Sequence, residues 1–212
     1  MNFLQLAKRV RQEAGLSGTG PASVANQAGE VERIIDWTRD AWTEIQGLMG
    51  GRWAWLWESY SGALVVGQSV YDPASDWSIT PKSWDELRLD GMPVALIPWE
   101  LFRDAFPVIH DGLPTHASVR PDGKIAFSAA PMDTHAVTAE FYALPQILAQ
   151  NTDEPLMDER YHMAIVWRAV AMAAQFEESP VMQQMAERKF GQIYAQMTAS
   201  DLPQVSMPEP LA

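Results

Sequence analysis

The stretch GLPTHASVRPDGKIAF, Gly112–Phe127, decides what kind of molecule this chain is. It sets Thr115, His116, Arg120, Asp122 and Lys124 close together. Taken as chemistry, that is a cluster of reactive side chains; taken as architecture, it is a β-hairpin. Gly112 and Pro114 restrict the entry, and Asp122-Gly123 supplies the positive φ of a tight turn between Thr115–Arg120 and Lys124–Ser128. The hairpin accounts for the glycines, proline and aspartate without any reaction. His116 and Arg120 lie four apart on a strand and so share a face. A hydrolytic reading needs a serine on a strained elbow such as Gly-x-Ser-x-Gly, which the sequence lacks. The hairpin prevails, and no catalytic residue is assigned.

Working outward, the flanks keep the β period. ALVVGQSVYD and SWDELRLDGMPVALIP read as strands joined by turns, with Asp90-Gly91 a hairpin signal. LFRDAF reads as one short helical turn. In AVTAEFYALP, Val137, Ala139 and Phe141 alternate against Thr138, Glu140 and Tyr142. Short strands in series without long helices between them predict a small antiparallel sheet or sandwich.

Both ends of the chain carry the helical period instead. Phe3, Leu6, Ala7, Val10 and Ala14 recur at helical spacing, with Asn2 as N-cap and Gly15 as stop. After the loop LSGTGPASVANQAG, a longer helix starts near Glu30, with Val31, Ile34, Ile35, Thr38, Trp42, Ile45 and Met49 on one face and Gly50-Gly51 as its end. Asp158 can cap a third helix running to about Glu178, with His162, Ile165, Val166, Ala169, Val170, Ala173 and Phe176 on one side. Ser179-Pro180 starts a fourth, striped by Met182, Met185, Ala186, Phe190, Ile193, Tyr194 and Met197. One-sided apolar stripes need partners. The expected fold is therefore α+β: a four-helix bundle from residues 1–50 and 153–199, with an inserted β lobe at 51–152. The segment 200–212, holding three prolines and no periodicity, reads as an extended C-terminal arm.

Composition narrows the function classes. At 47% hydrophobic, the chain can bury a sizeable core. With no cysteine it has neither a disulfide framework nor a thiolate nucleophile, which suits a reducing cytosol. The N-terminus does not read as a secretory signal, and no stretch approaches the roughly 20 apolar residues of a membrane span. The net charge is −12, and no basic cluster interrupts it. Phosphate neutralisation needs clustered Lys and Arg, so the expected relation to DNA is repulsion, letting a polyanion pass without sticking.

Two chemical readings compete with a structural one. The four histidines, His110, His116, His135 and His162, lack the spacing of a metal site, and the only convergence worth weighing is His110, Asp111 and His116. The run RWAWLWESY places Trp53, Trp55 and Trp57 at alternate positions, on one face if the run is a strand. Beside Glu58, Asp72, Asp76, Asp85 and Glu86 it could form a carbohydrate-binding or glycan-degrading site, since that chemistry uses paired carboxyl groups. Core or subunit interface is the stronger reading of these indoles. No cofactor or metal is expected.

The sequence as a whole resembles the head-to-tail adaptor (connector) proteins of tailed bacteriophages, and is similar to the tail tubular protein A class of short-tailed phages. The resemblance rests on the colinear order of MNFLQLAKRVRQEAGLSGTGP, GEVERIIDWTRDAWTEIQ, the hairpin stretch, AVTAEFYALPQIL and DEPLMDERYHMAIVWRAV. It implies a structural virion protein of the neck, assembled in host cytoplasm. Its copies would form a ring of roughly twelve, closed by heterologous contacts, docking under the portal protein, meeting the tail tube or nozzle protein and extending the DNA channel. Partner-binding residues expected on this reading are Leu202, Pro203, Val205, Met207, Pro208 and Leu211 of the arm, with Trp53, Trp55 and Trp57.

Overall fold

The computed structural model describes Met1–Asp201. The chain is mixed α and β, and divides into two compact units. One holds Met1–Trp55 and the described residues from Pro145 onward; the other is Leu56–Leu144.

In the first unit, α1 (Phe3–Glu13) begins at Asn2, whose side chain accepts the Gln5 amide while the Gln5 side chain accepts the Asn2 amide. This reciprocal pair closes the first turn. Phe3, Leu6, Ala7 and Val10 are buried, as their spacing predicts. Helix α2 (Glu30–Gly47) buries Ile34, Ile35, Thr38, Ala41, Trp42, Ile45 and Gln46. Met49 does not extend that stripe. The chain leaves the helix at Leu48–Gly51, where Met49 takes φ 53° and its side chain is exposed.

After Asp158 caps a single turn of 3-10 helix at Glu159–Tyr161, α5 (Met163–Phe176) runs almost wholly buried. Of the predicted stripe, Phe176 is the exception at 55% exposed, with the Trp37 ring 5.7 Å away and the Arg33 guanidinium over it at 4.6 Å. Helix α6 (Pro180–Asp201) packs along α5 and fully buries Ala186 and Met197 from its stripe. Helix α5 also packs on α1 and α2, so elements from both ends of the sequence share one core. The buried Gln46 side chain joins the two halves: Nε2 donates to the Gln146 carbonyl (2.9 Å) and Oε1 accepts the Gln146 amide (2.7 Å).

The second unit contains β1 (Trp57–Ala63), β2 (Val70–Tyr71), α3 (Pro73–Asp76), β3 (Pro81–Leu89), β4 (Met92–Pro93), β5 (Ala95–Leu96) and α4 (Trp99–Ala105). After these come β6 (His110–Asp111), β7 (His116–Val119), β8 (Ile125–Phe127), β9 (Ala129–Ala130) and β10 (Ala136–Ala143). One sheet has the order β1-β10-β3-β4, a second β2-β8-β7-β5, and β6 pairs with β9. Val137, Ala139 and Phe141 of β10 are buried, as the alternation predicts. Leu87, Leu89, Val137 and Ala139 from one sheet meet Ala117, Ile125 and Phe127 from the other in a single core with Tyr71 and Trp77.

Three expectations are corrected here. The β unit is not purely antiparallel: β5 and β7 pair in parallel because the chain between them crosses over through α4, and β6 and β9 pair in parallel with the β7–β8 hairpin between them in the chain. The run ALVVGQSVYD is not one strand. It turns after Ala63, with Gly67 at φ 77° and the Tyr71 hydroxyl accepting the Val65 amide (2.7 Å), which leaves Val65 and Val66 exposed. Finally, α4 starts two residues earlier than LFRDAF and makes about two turns.

Candidate functional site

The hairpin forms as its residues dictate. Strand β7 pairs with β8 through Ala117↔Phe127, Ser118↔Ala126 and Val119↔Ile125. The turn closes with the Arg120 amide on the Lys124 carbonyl (2.8 Å), and Gly123 takes φ 82°. Asp122 holds the turn twice, accepting the Lys124 amide and pairing with Arg120 at 3.1 Å. Gly112 also has positive φ (152°), and Pro114 is buried at the entry. Ser128 accepts the amides of both Thr115 and His116 (3.1 Å each), fixing the other end. The polar cluster of the opening stretch is thus occupied in holding its own loop.

Helix α4 lies against β7. The Phe106 ring sits 5.3 Å from the His116 ring, and the Arg120 guanidinium lies over Trp99 at 5.7 Å from its centroid. His116 and Arg120 therefore do point to one side, toward α4. A groove of about 250 Å³ opens there, floored by Val70 and Ala126 and walled by Trp99, Phe102 and Phe106, with Arg103 and Arg120 at its edge. Across Trp99 lies a second groove of about 480 Å³, lined by Trp84, Leu96, Ile97, Pro98 and Val119. The sequence singled out neither groove. Their lining comes from segments between Ser69 and Phe127 that no local pattern links.

The tryptophan run does not form one face. Residues Ala54–Leu56 make a 3-10 turn, so the period of two fails. Trp53 is fully buried in the helical unit, stacked on Trp55 at 4.4 Å and edge-on to Tyr194 at 6.0 Å, with Nε1 donating to the Ile45 carbonyl (2.8 Å). It is core and offers no surface to a partner. Trp57 opens β1 in the other unit and is 43% exposed. The arm residues Leu202, Pro203, Val205, Met207, Pro208 and Leu211 lie outside the described residues.

Three of the five carboxylates of the glycan reading are spent on structure. Asp72 caps α3 through the Ala74 amide (3.0 Å), Asp76 accepts the Asp72 amide (2.8 Å), and Glu86 pairs with Arg88 at 2.6 Å. The hydrogen bond from Arg88 holds the Glu86 carboxyl below its usual range. Asp90 is also lowered, first by His135 and then by the Ala136 amide. A glycosidase acid needs the opposite displacement. Tyr60 and Tyr71 stack on the buried Trp77.

The histidines are dispersed. His116 contacts the Thr115 hydroxyl, and His135 pairs with Asp90. His162 is buried between the Met1 amine (2.8 Å from Nδ1) and the Met157 carbonyl (3.1 Å from Nε2). Burial lowers its pKa, which favours the neutral ring with Nε2–H donating. Among the described residues, no three His, Asp or Glu side chains gather as a metal would require, the trio His110, Asp111 and His116 included. No described helix is long and apolar enough to cross a membrane.

Most of the polar side chains singled out by the sequence are engaged in caps, turns and ion pairs. A comparison with protein families agrees: the chain belongs to the SU10 adaptor protein family, whose model matches residues 1–208. That membership makes it a phage structural adaptor. No curated protein matched the chain.

Proposed function

We propose that this adaptor is the subunit of a head-to-tail ring that docks under the portal protein, extends the DNA channel and receives the next tail component, in the manner of the tail tubular protein A class. The observation that carries the reading is the family match along nearly the whole chain. On this reading the helices of both chain ends act as one four-helix bundle, packing side by side around a virion neck of roughly twelve copies.

Charge supports the channel role. The chain holds 15 basic against 27 acidic residues. A surface of that sign repels a passing polyanion, where a basic lining would bind phosphates and slow it. Residues Leu202–Ala212, rich in proline and apolar side chains, supply the contact with the portal. Proline-rich segments can cover a wide partner surface.

Truncation before Ser200 tests the assignment. We expect capture by immobilised portal protein to fall to background while helical circular dichroism stays near that of the full chain. Capture equal to the full chain's would remove the segment from the interface.

A further inference from the structure

We propose that strand β1 is a self-recognition edge: in the absence of portal it pairs antiparallel with β1 of a second copy of this chain. The inference goes beyond the portal-docking role, because a two-fold pair of this kind closes at two copies and is not the contact that closes a ring.

The first argument is the edge itself. Strand β1 ends its sheet, and among the described residues no strand lies on its outer side. Its register with β10 runs from Trp57↔Tyr142 to Ala63↔Ala136 without a shift, so the edge is seven residues long and unbulged. The Leu64 amide continues that register by donating to the His135 carbonyl (2.9 Å). By the alternation of an antiparallel ladder, Gly62, Tyr60 and Glu58 then turn their backbone groups toward β10, whereas Ser61 and Ser59 turn theirs outward. Natural proteins blunt such edges with lysine, proline, a bulge or shortness. The other edges of the two four-stranded sheets, β2, β4 and β5, are two residues each, and β4 carries Pro93. WESYSGA has none of these devices.

The second argument names the occupant. No other edge of the two sheets is long enough to fill β1, but β1 fits itself. Laid antiparallel about Tyr60, it sets Tyr60 against Tyr60, Ser59 against Ser61, Glu58 against Gly62 and Trp57 against Ala63. Outward backbone groups meet outward ones at the serines, as the ladder requires. Ring faces ring at the centre, hydroxyl faces hydroxyl, and the remaining large side chains face small ones. Glu58 is the single charge of the strand. In this register it lies about 13 Å along the strand from Glu58 of the second copy, beyond the Debye length at physiological salt. Glu140, beside Ser59 on β10, has both edge strands between it and its own copy.

Sedimentation of the full chain without portal tests the pairing. We expect a monomer–dimer equilibrium whose dimer share rises across about 1–100 μM, the weak range suited to so small an interface. Ser61→Pro removes an outward N–H at a position where an edge strand tolerates the ring. It should weaken dimerisation at least about tenfold while the urea midpoint stays near the parent's. Ser59→Pro repeats the test at the other outward serine. Cysteine variants read the register, since the chain has no cysteine of its own. Residues 59 and 61 of the two copies would lie about 5.5 Å apart at Cα, within disulfide reach. Under mild oxidation, Ser59→Cys mixed with Ser61→Cys should crosslink about tenfold faster than either variant alone. A monomer at every concentration, a dimer indifferent to both proline variants, or equal crosslinking in all three samples overturns the proposal. Because portal is absent, either result leaves the portal-capture assignment standing or falling on its own assay.

Discussion

Trp53→Ala should cost the helical unit about 3–5 kcal/mol, the range for emptying a large buried aromatic site. Three contacts are lost together. The indole donates to the last turns of α2 at Ile45, stacks on Trp55, and meets Tyr194 of α6 edge-on. Collapse cannot refill the space cheaply, because Ile45, whose carbonyl the indole meets, is itself fully buried. Trp53→Phe separates the terms. It keeps most of the ring packing and removes the donor, so about 1–3 kcal/mol should remain as the cost of the smaller ring and of an Ile45 carbonyl left with the Leu48 amide alone. Urea unfolding followed by helical circular dichroism measures both. A Trp53→Ala variant as stable as the parent would mean that the indole does not bind α2 to α6.

The second large effect is expected at Gln46. Its carboxamide mimics a strand, giving one hydrogen bond to the Gln146 carbonyl and taking one from the Gln146 amide, at a position 0% exposed. Gln46→Leu is close to isosteric yet leaves two part-buried backbone groups without these partners, at up to about 1–3 kcal/mol each. The expected loss is about 2–5 kcal/mol, and it has a local signature. Amide exchange at Gln146 should accelerate more than exchange in the centre of α5. Uniform acceleration across the unit would show that the pair adds only to global stability and does not hold residues from 145 onward to α2.

These two sites also show where sequence reading reaches its limit. The stripe Ile34, Ile35, Thr38, Trp42, Ile45 was legible because burial on one helix face imposes a 3.6-residue period. Gln46 lies on that face, and a polar side chain there was a usable signal that a buried backbone group needed it. The capping box of α1 was equally visible as Asn2 and Gln5 three apart. Strand β10 and the Asp90-Gly91 turn, with φ of 48° and 80°, were legible from alternation and turn chemistry alone.

Other segments were decided by distant neighbours. Leu64–Ser69 has the residues of a strand, but it turns, with the Val65 amide on the Tyr71 hydroxyl and the Gly67 amide on the Pro131 carbonyl. RWAWLW alternates like a strand, yet it follows a chain reversal with positive φ at Met49, Gly50 and Gly51, and a 3-10 turn breaks the period. The parallel pairing of β5 with β7 and the slots beside Trp99 require strand order, which no local pattern contains. The hairpin at Gly112–Phe127 was recognised as a turn; that its His116 and Arg120 would face α4 depended on the same missing order.

Imaging the full chain mixed with purified portal from its own phage tests the central claim most directly. The account predicts a ring of adaptor copies coaxial with the portal, its central opening continuous with the portal channel. Portal particles unchanged by a large excess of the folded adaptor would contradict it.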